Sequence, residues 1–238
     1  METRKVNIST AMILGISLIV AGYFISQTIL KARKFDRYVS VKGLSEREVM
    51  ADIAIWPFEV TVVSNNLNEL QSELSKQSTI IRNFFKEQGF SAEEITVGTP
   101  NIQDNQAIMY GGGGQTSPYR YIAKMDVTIR TSDIKMLQKA ASDVLELIGK
   151  GVIIGAKNYW QQIEYLYTKL NEIKPDMIEE ATINARQAAE KFARDSGSKV
   201  GKIKQAHQGL FSIQNRDVNT AHIKKVRVVS TIEFYLQD

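Results

Sequence analysis

Residues 119–130 read Tyr-Arg-Tyr-Ile-Ala-Lys-Met-Asp-Val-Thr-Ile-Arg. Tyr119, Tyr121, Met125, Val127 and Ile129 fall on one parity; Arg120, Lys124, Asp126, Thr128 and Arg130 fall on the other. Side chains alternate across a strand with period two, so this pattern predicts a strand with one dry and one wet face. It follows the loop Gly111–Gly114 and Gln115-Thr116-Ser117-Pro118, with a weakly strand-like stretch at 95–109 before that. Strand, glycine-rich tip and strand predict a long β-hairpin. Beyond it, Ser132 and Asp133 offer a helix N-cap, and Ile134, Leu137, Ala141, Val144, Leu145 and Ile148 form an apolar stripe that Gly149 and Gly151 close.

The same unit of two strands and a helix occurs upstream. Tyr38–Met50 and Ile53–Ser64 read as strands, the second changing phase at Pro57, where a β-bulge or an edge position is expected. Leu70, Leu74, Ile81, Phe84 and Phe85 then recur at helical spacing over 67–88, with Gly89 as a stop. Downstream, 152–168 is extended and aromatic, with Tyr159, Ile163, Tyr165 and Tyr167 in phase. A third helix is expected from Pro175 to Gly197; its Ala181, Ala185, Ala188 and Ala189 permit close packing. Two strands, 202–214 and 224–236, end the chain. Alternating strands with interspersed helices predict an α+β fold of antiparallel sheets with about three helices on one face.

The N-terminus differs in kind. Ile8–Leu30 holds no charged residue, and 23 helical residues would span roughly 34 Å, enough for a bilayer core. An uncleaved transmembrane anchor over 8–30 is expected, with 1–7 as a tail, 31–37 as a basic juxtamembrane linker and 38–238 as the folded domain. A cleaved signal or a buried core helix are the alternatives. Ala11, Gly15, Gly22 and Ser26 share one side, a packing face for a second helix or simply the composition of membrane helices. Lys31, Arg33, Lys34 and Arg37 after the span would hold the domain in the cytoplasm, but long domains translocate regardless of such charges.

The chain has 238 residues and a net charge of +4. Six Lys/Arg against two Asp/Glu in the first 37 residues account for that excess, so the rest is neutral. A nucleic-acid partner, which needs a basic face, is not expected. Lys224-Lys225-Val226-Arg227 is the one local basic run, read as a solvated strand end. The absence of cysteine excludes disulfides and thiolate chemistry. His207 and His222 are the only histidines; both stand in the last strand pair with no carboxylate at ligand spacing, so structural roles are expected and no metal or cofactor. Gly111, Gly112, Gly113 and Gly114 form a flexible hairpin end or a partner-contacting tip. Tyr159, Tyr165 and Tyr167 are sheet residues or a subunit interface.

The order of several stretches resembles the SIMPL (DUF541) family. Val39-Ser40-Val41-Lys42-Gly43 is similar to its opening strand, and Tyr121-Ile122-Ala123 with Val127-Thr128-Ile129-Arg130 and 133–137 to its central strand–helix junction. Glu180-Ala181, Ala185-Arg186 and Ala189 are similar to its alanine-rich helix, and Val200-Gly201-Lys202-Ile203 to its exit strand. Ser45 stands where a second glycine is usual, and Ala188 where a lysine is common. The resemblance implies an α+β fold, an extracytoplasmic setting, large ring- or barrel-like oligomers in some relatives and, in one bacterial branch, oxidative-stress defence; with the anchor, the location expected is the bacterial inner membrane, the domain on its periplasmic side. It brings no catalytic residues. The function expected is a membrane-anchored, self-assembling, non-enzymatic envelope protein. The alternatives are a monomeric adaptor that binds a ligand or partner and, distantly, a hydrolase or metal enzyme.

Overall fold

A computed structural model describes residues 8–35, 37–109, 118–155 and 162–237. The fold is α+β with antiparallel pairing. Its strands are β1 (Tyr38–Met50), β2 (Ile53–Ser64), β3 (Ile95–Val97), β4 (Asn101–Asp104), β5 (Tyr121–Thr131), β6 (Ile154–Gly155), β7 (Glu164–Leu166), β8 (Lys199–Gln208), β9 (Ser212–Asn215) and β10 (Ile223–Gln237). Six α-helices are present among the described residues, five of them within 38–238, where about three are expected: α1 (Ile8–Phe35), α2 (Leu67–Glu87), α3 (Asn105–Met109), α4 (Ile134–Ser142), α5 (Leu145–Gly149) and α6 (Leu170–Asp195).

The expectation of a transmembrane helix over 8–30 is corrected. Among the described residues no helix is long and apolar enough to cross a membrane. The helix itself continues through the basic stretch to Phe35.

The chain divides into two compact units. The first comprises 1–46, 173–212 and 227–238. Its core joins Val41 of β1, Ala185 and Ala189 of α6, and Ile232 and Phe234 of β10. Met177, Ala181, Ala185, Ala189 and Ala193 form the buried stripe of α6, four residues apart along one helix face. The stripe lies directly on the β1 backbone: a Cβ on Gly43 would stand 1.8 Å from the Ala181 carbonyl oxygen and 2.6 Å from the Ala185 nitrogen. Two hydrogen bonds fix the contact. The Asn184 amide donates to the Leu44 carbonyl at 2.8 Å, and the buried Ser45 hydroxyl donates to Glu180 at 2.9 Å. α6 begins at Leu170, five residues before the expected Pro175, which sits inside it. As the sixth helical residue it has no N–H to offer the Asn171 carbonyl four residues earlier, so one bond of the helical ladder is missing there.

The second unit comprises 47–172 and 213–226. Its sheet has the order β3-β5-β2-β6, with β4 also on β5 and β7 also on β2. The strand at 119–130 is β5, and Ala123, Met125, Val127, Ile129 and Thr131 form its buried parity. Its pairing with β4, Asn101 opposite Lys124 through Asp104 opposite Tyr121, is that of a hairpin. The phase change expected at Pro57 is not a bulge. The register of β2 on β5 runs unbroken from Ala54 to Ser64, and the even residues Ala54, Trp56, Phe58, Val60 and Val62 are buried throughout. On the other edge β7 pairs with 53–55 and β6 with 59–60, and among the described residues no strand residue pairs with Pro57 there. Trp56, Phe58, Phe84, Phe85 and Phe90 meet edge to face or tilted, with ring centroids 5.1–6.0 Å apart. Such pairs add to the burial of their large apolar area. The helix expected across 132–148 is broken into α4 and α5 at Asp143-Val144.

Gly43→Ala should therefore cost at least about 2 kcal/mol of unfolding free energy, since the added methyl meets backbone that cannot rotate aside. Gly15→Ala, whose Cβ would meet nothing within 4 Å, should cost nothing. Urea denaturation of the two variants checks this.

Candidate functional site

A cleft of about 610 Å³ opens in the second unit between β7 and the β9–β10 connection. That volume lies in the range of small-molecule sites. Gln162, Ile163, Glu164, Tyr165, Leu166 and Tyr167 line one side, and Ile213, Asn215, Ala221 and Lys224 the other.

Each wall is held by identifiable bonds. The Asp52 N–H donates to the Leu166 carbonyl at 2.9 Å. The Thr168 N–H and hydroxyl donate to the Asp52 carboxylate at 2.8 and 2.6 Å. Burial would raise the Asp52 carboxyl, but these Thr168 hydrogen bonds outweigh it and hold it below its usual range. Burial pushes the Tyr167 phenol up, helped by the charges of Glu172 and Asp52, so it stays a neutral donor. The opposite wall is shaped by the turn after β9. Asp217 accepts from the N–H groups of Asn219 and Thr220 at 2.9 and 2.8 Å, from the Thr220 hydroxyl, and from Arg216 Nε at 3.1 Å. Arg216 reaches on to Glu48 at 3.3 Å. The Thr220 hydroxyl, then Arg216, bring the Asp217 carboxyl down to about 2.

Lys224 corrects the reading of 224–227 as a solvated strand end. It is 8% exposed. It shares the inward parity of β10 with Val226, Val228, Ser230, Ile232 and Phe234. Parity was the signal: the inward alternation seen at 226–236 extends back by two residues to a lysine. Its Nζ donates to Asn215 Oδ1. Burial pulls its pKa down, and the charge of Glu164 opposes that.

The residues singled out from the sequence do not form one site. Tyr165 and Tyr167 line the cleft, whereas Tyr159 lies outside the described residues, as do Gly111, Gly112, Gly113 and Gly114. Gly15 and Gly22 stand open on α1, with Ser26 exposed on the same helix; the side chain of Ala11 is outside the described residues. His222 packs its ring 5.9 Å from Tyr165, and its Nδ1 lies 3.3 Å from the Gln138 amide nitrogen. His207 is exposed and meets Gln205. Among the described residues no group of His, Asp and Glu could hold a metal ion.

The family model described as SIMPL, a protein of unknown function (DUF541), matches residues 39–227. Comparison with curated proteins finds no match.

Two outcomes follow from the charges around the cleft. Asp217 has a folded-state pKa of about 2 against an ordinary 3.8, so its contribution is present above the ordinary value and is lost as pH falls through the folded one. Asp217→Asn should flatten the loss of stability between about pH 4 and pH 2 in urea titrations. Lys224 binds its proton less well folded than unfolded, so the ammonium opposes folding below its folded pKa and is relieved as pH rises towards 10.5. Lys224→Met should raise unfolding free energy at neutral pH by about 1 kcal/mol, with the gain shrinking in alkaline buffer.

Proposed function

The chain belongs to the SIMPL family, and from that premise we propose that it works without catalysing a reaction, as a domain that assembles with copies of itself. The observation that carries this reading is the surface of α1. Ile13, Ile16, Leu18, Ile19, Phe24 and Ile25 are each between 58% and 74% exposed, and they surround the helix instead of forming one stripe. A helix that is apolar all round is stable when other structure covers it, and an exposed apolar patch of this kind marks an interaction surface. A second copy presents the same helix. Gly15 and Gly22 leave room for it, because a Cβ on either meets nothing. The resemblance to envelope proteins supports placing the assembly on the extracytoplasmic side and in stress defence.

Sedimentation of the full-length chain in mild detergent is the test. Particles several times the mass of one chain are expected at concentrations on the order of micromolar. Gly15→Leu with Gly22→Leu should shift them to smaller species while the circular dichroism of the folded part is unchanged. A monomer in the unaltered chain overturns the reading; an oligomer unmoved by the double substitution takes α1 out of it.

A further inference from the structure

Glu164 and Lys224 set one negative and one positive charge on the same cleft, and no ion pair or hydrogen bond joins them. They are close enough for the Glu164 charge to act on the ammonium. An ammonium has three N–H donors. Lys224 directs one at Asn215 Oδ1, which leaves two for a bound group. The carboxylate of Glu164 is acceptor-only when ionised. The rest of the lining is mixed, and Ile163, Leu166 and Ile213 with Tyr165 and Tyr167 supply its apolar part.

This charge pattern selects among ligands. A bare carboxylate drawn to Lys224 would be repelled by Glu164, and a bare amine drawn to Glu164 would be repelled by Lys224. A zwitterion satisfies both and brings no net charge into the cleft. An unmatched charge is costly beside the buried Lys224, so matching both charges decides specificity more than the apolar contacts do. An α-amino acid carries its two charges on one carbon, whereas a long peptide separates them.

We propose that this cleft binds a free α-amino acid with an apolar side chain, its carboxylate on Lys224, its ammonium on Glu164, and its side chain against Tyr165, Tyr167 and Ile213. This stands apart from self-assembly and uses different residues.

The test is calorimetric titration of the full-length chain with L-phenylalanine, 3-phenylpropionate, L-phenylalaninamide and glycine. L-Phenylalanine should bind saturably, and loss of either charge or of the ring should weaken binding about tenfold or more. This comparison uses the unaltered chain, so no folding defect can blur it. Lys224→Met should weaken L-phenylalanine about tenfold. Glu164→Gln, at an exposed position, should weaken L-phenylalanine and leave 3-phenylpropionate equal or tighter. No saturation by about 10 mM L-phenylalanine, equal affinity for the acid or amide, or unchanged affinity in Lys224→Met would each overturn the proposal.

Discussion

The contact between Gly43 and the α6 backbone constrains the first unit more than any other. With a Cβ only 1.8 Å from the Ala181 oxygen, the helix axis can lie this close only if both surfaces are small. That explains why the buried stripe is Ala181, Ala185, Ala189 and Ala193 below Met177. A core of this kind buries few large side chains; Ile232 and Phe234 supply most of its bulk. Apolar burial scales with area, so a thin core depends more on directional contacts. The Asn184–Leu44 and Ser45–Glu180 bonds, immediately after Gly43 in β1, meet that need. Ser45 thus places a buried donor with a partner two residues beyond the close approach.

The second unit solves the same problem with bulk. Its aromatic cluster fixes β2, and the residues at and just before the start of β2 carry both walls of the cleft. Ala51 N–H holds the His222 carbonyl at 2.8 Å, Asp52 holds Leu166 and Thr168, and Ile53–Ile55 pair with β7. The cleft is therefore formed by short, irregular segments on a rigid strand, an arrangement common where binding residues sit on loops. Its aromatic lining and its buried lysine come from opposite walls.

Legibility in the sequence followed the strength of periodicity. The bounds of β1 and β2 and the stop of α2 could be read directly, because alternation and Gly89 are strong local signals. The break between α4 and α5 could not, since Ala141, Val144 and Leu145 continue a plausible stripe across it. Pro57 misled for an instructive reason: Ile53 and Ile55 are half-buried on the outer parity, so a strand covered partly on both faces resembles a phase change. At α1, absence of charge over 8–30 is not sufficient for a span. At the cleft, Tyr165 and Tyr167 stood out as aromatics, but Lys224 was hidden by Lys225 and Arg227. A cluster of cations suggests solvent, and only parity separates the buried member from its exposed neighbours.

The interleaving of the two units also bears on how such a chain reaches its fold. The first unit joins segments separated by the whole of residues 47–172, so β1 cannot meet α6 until that stretch is closed. Loop closure costs entropy that grows with the length of flexible chain, and contacts distant in sequence slow folding. The cost falls if most of 47–172 is already compact when β1 and α6 meet. The second unit has the means to become so early: the antiparallel pairs β2–β5 and β4–β5 need no segment beyond residue 172, and its aromatic core lies wholly before that point. Only its 213–226 segment arrives late, and that segment brings Asn215, Ala221 and Lys224. The least costly order of assembly thus completes the cleft after the core beneath it.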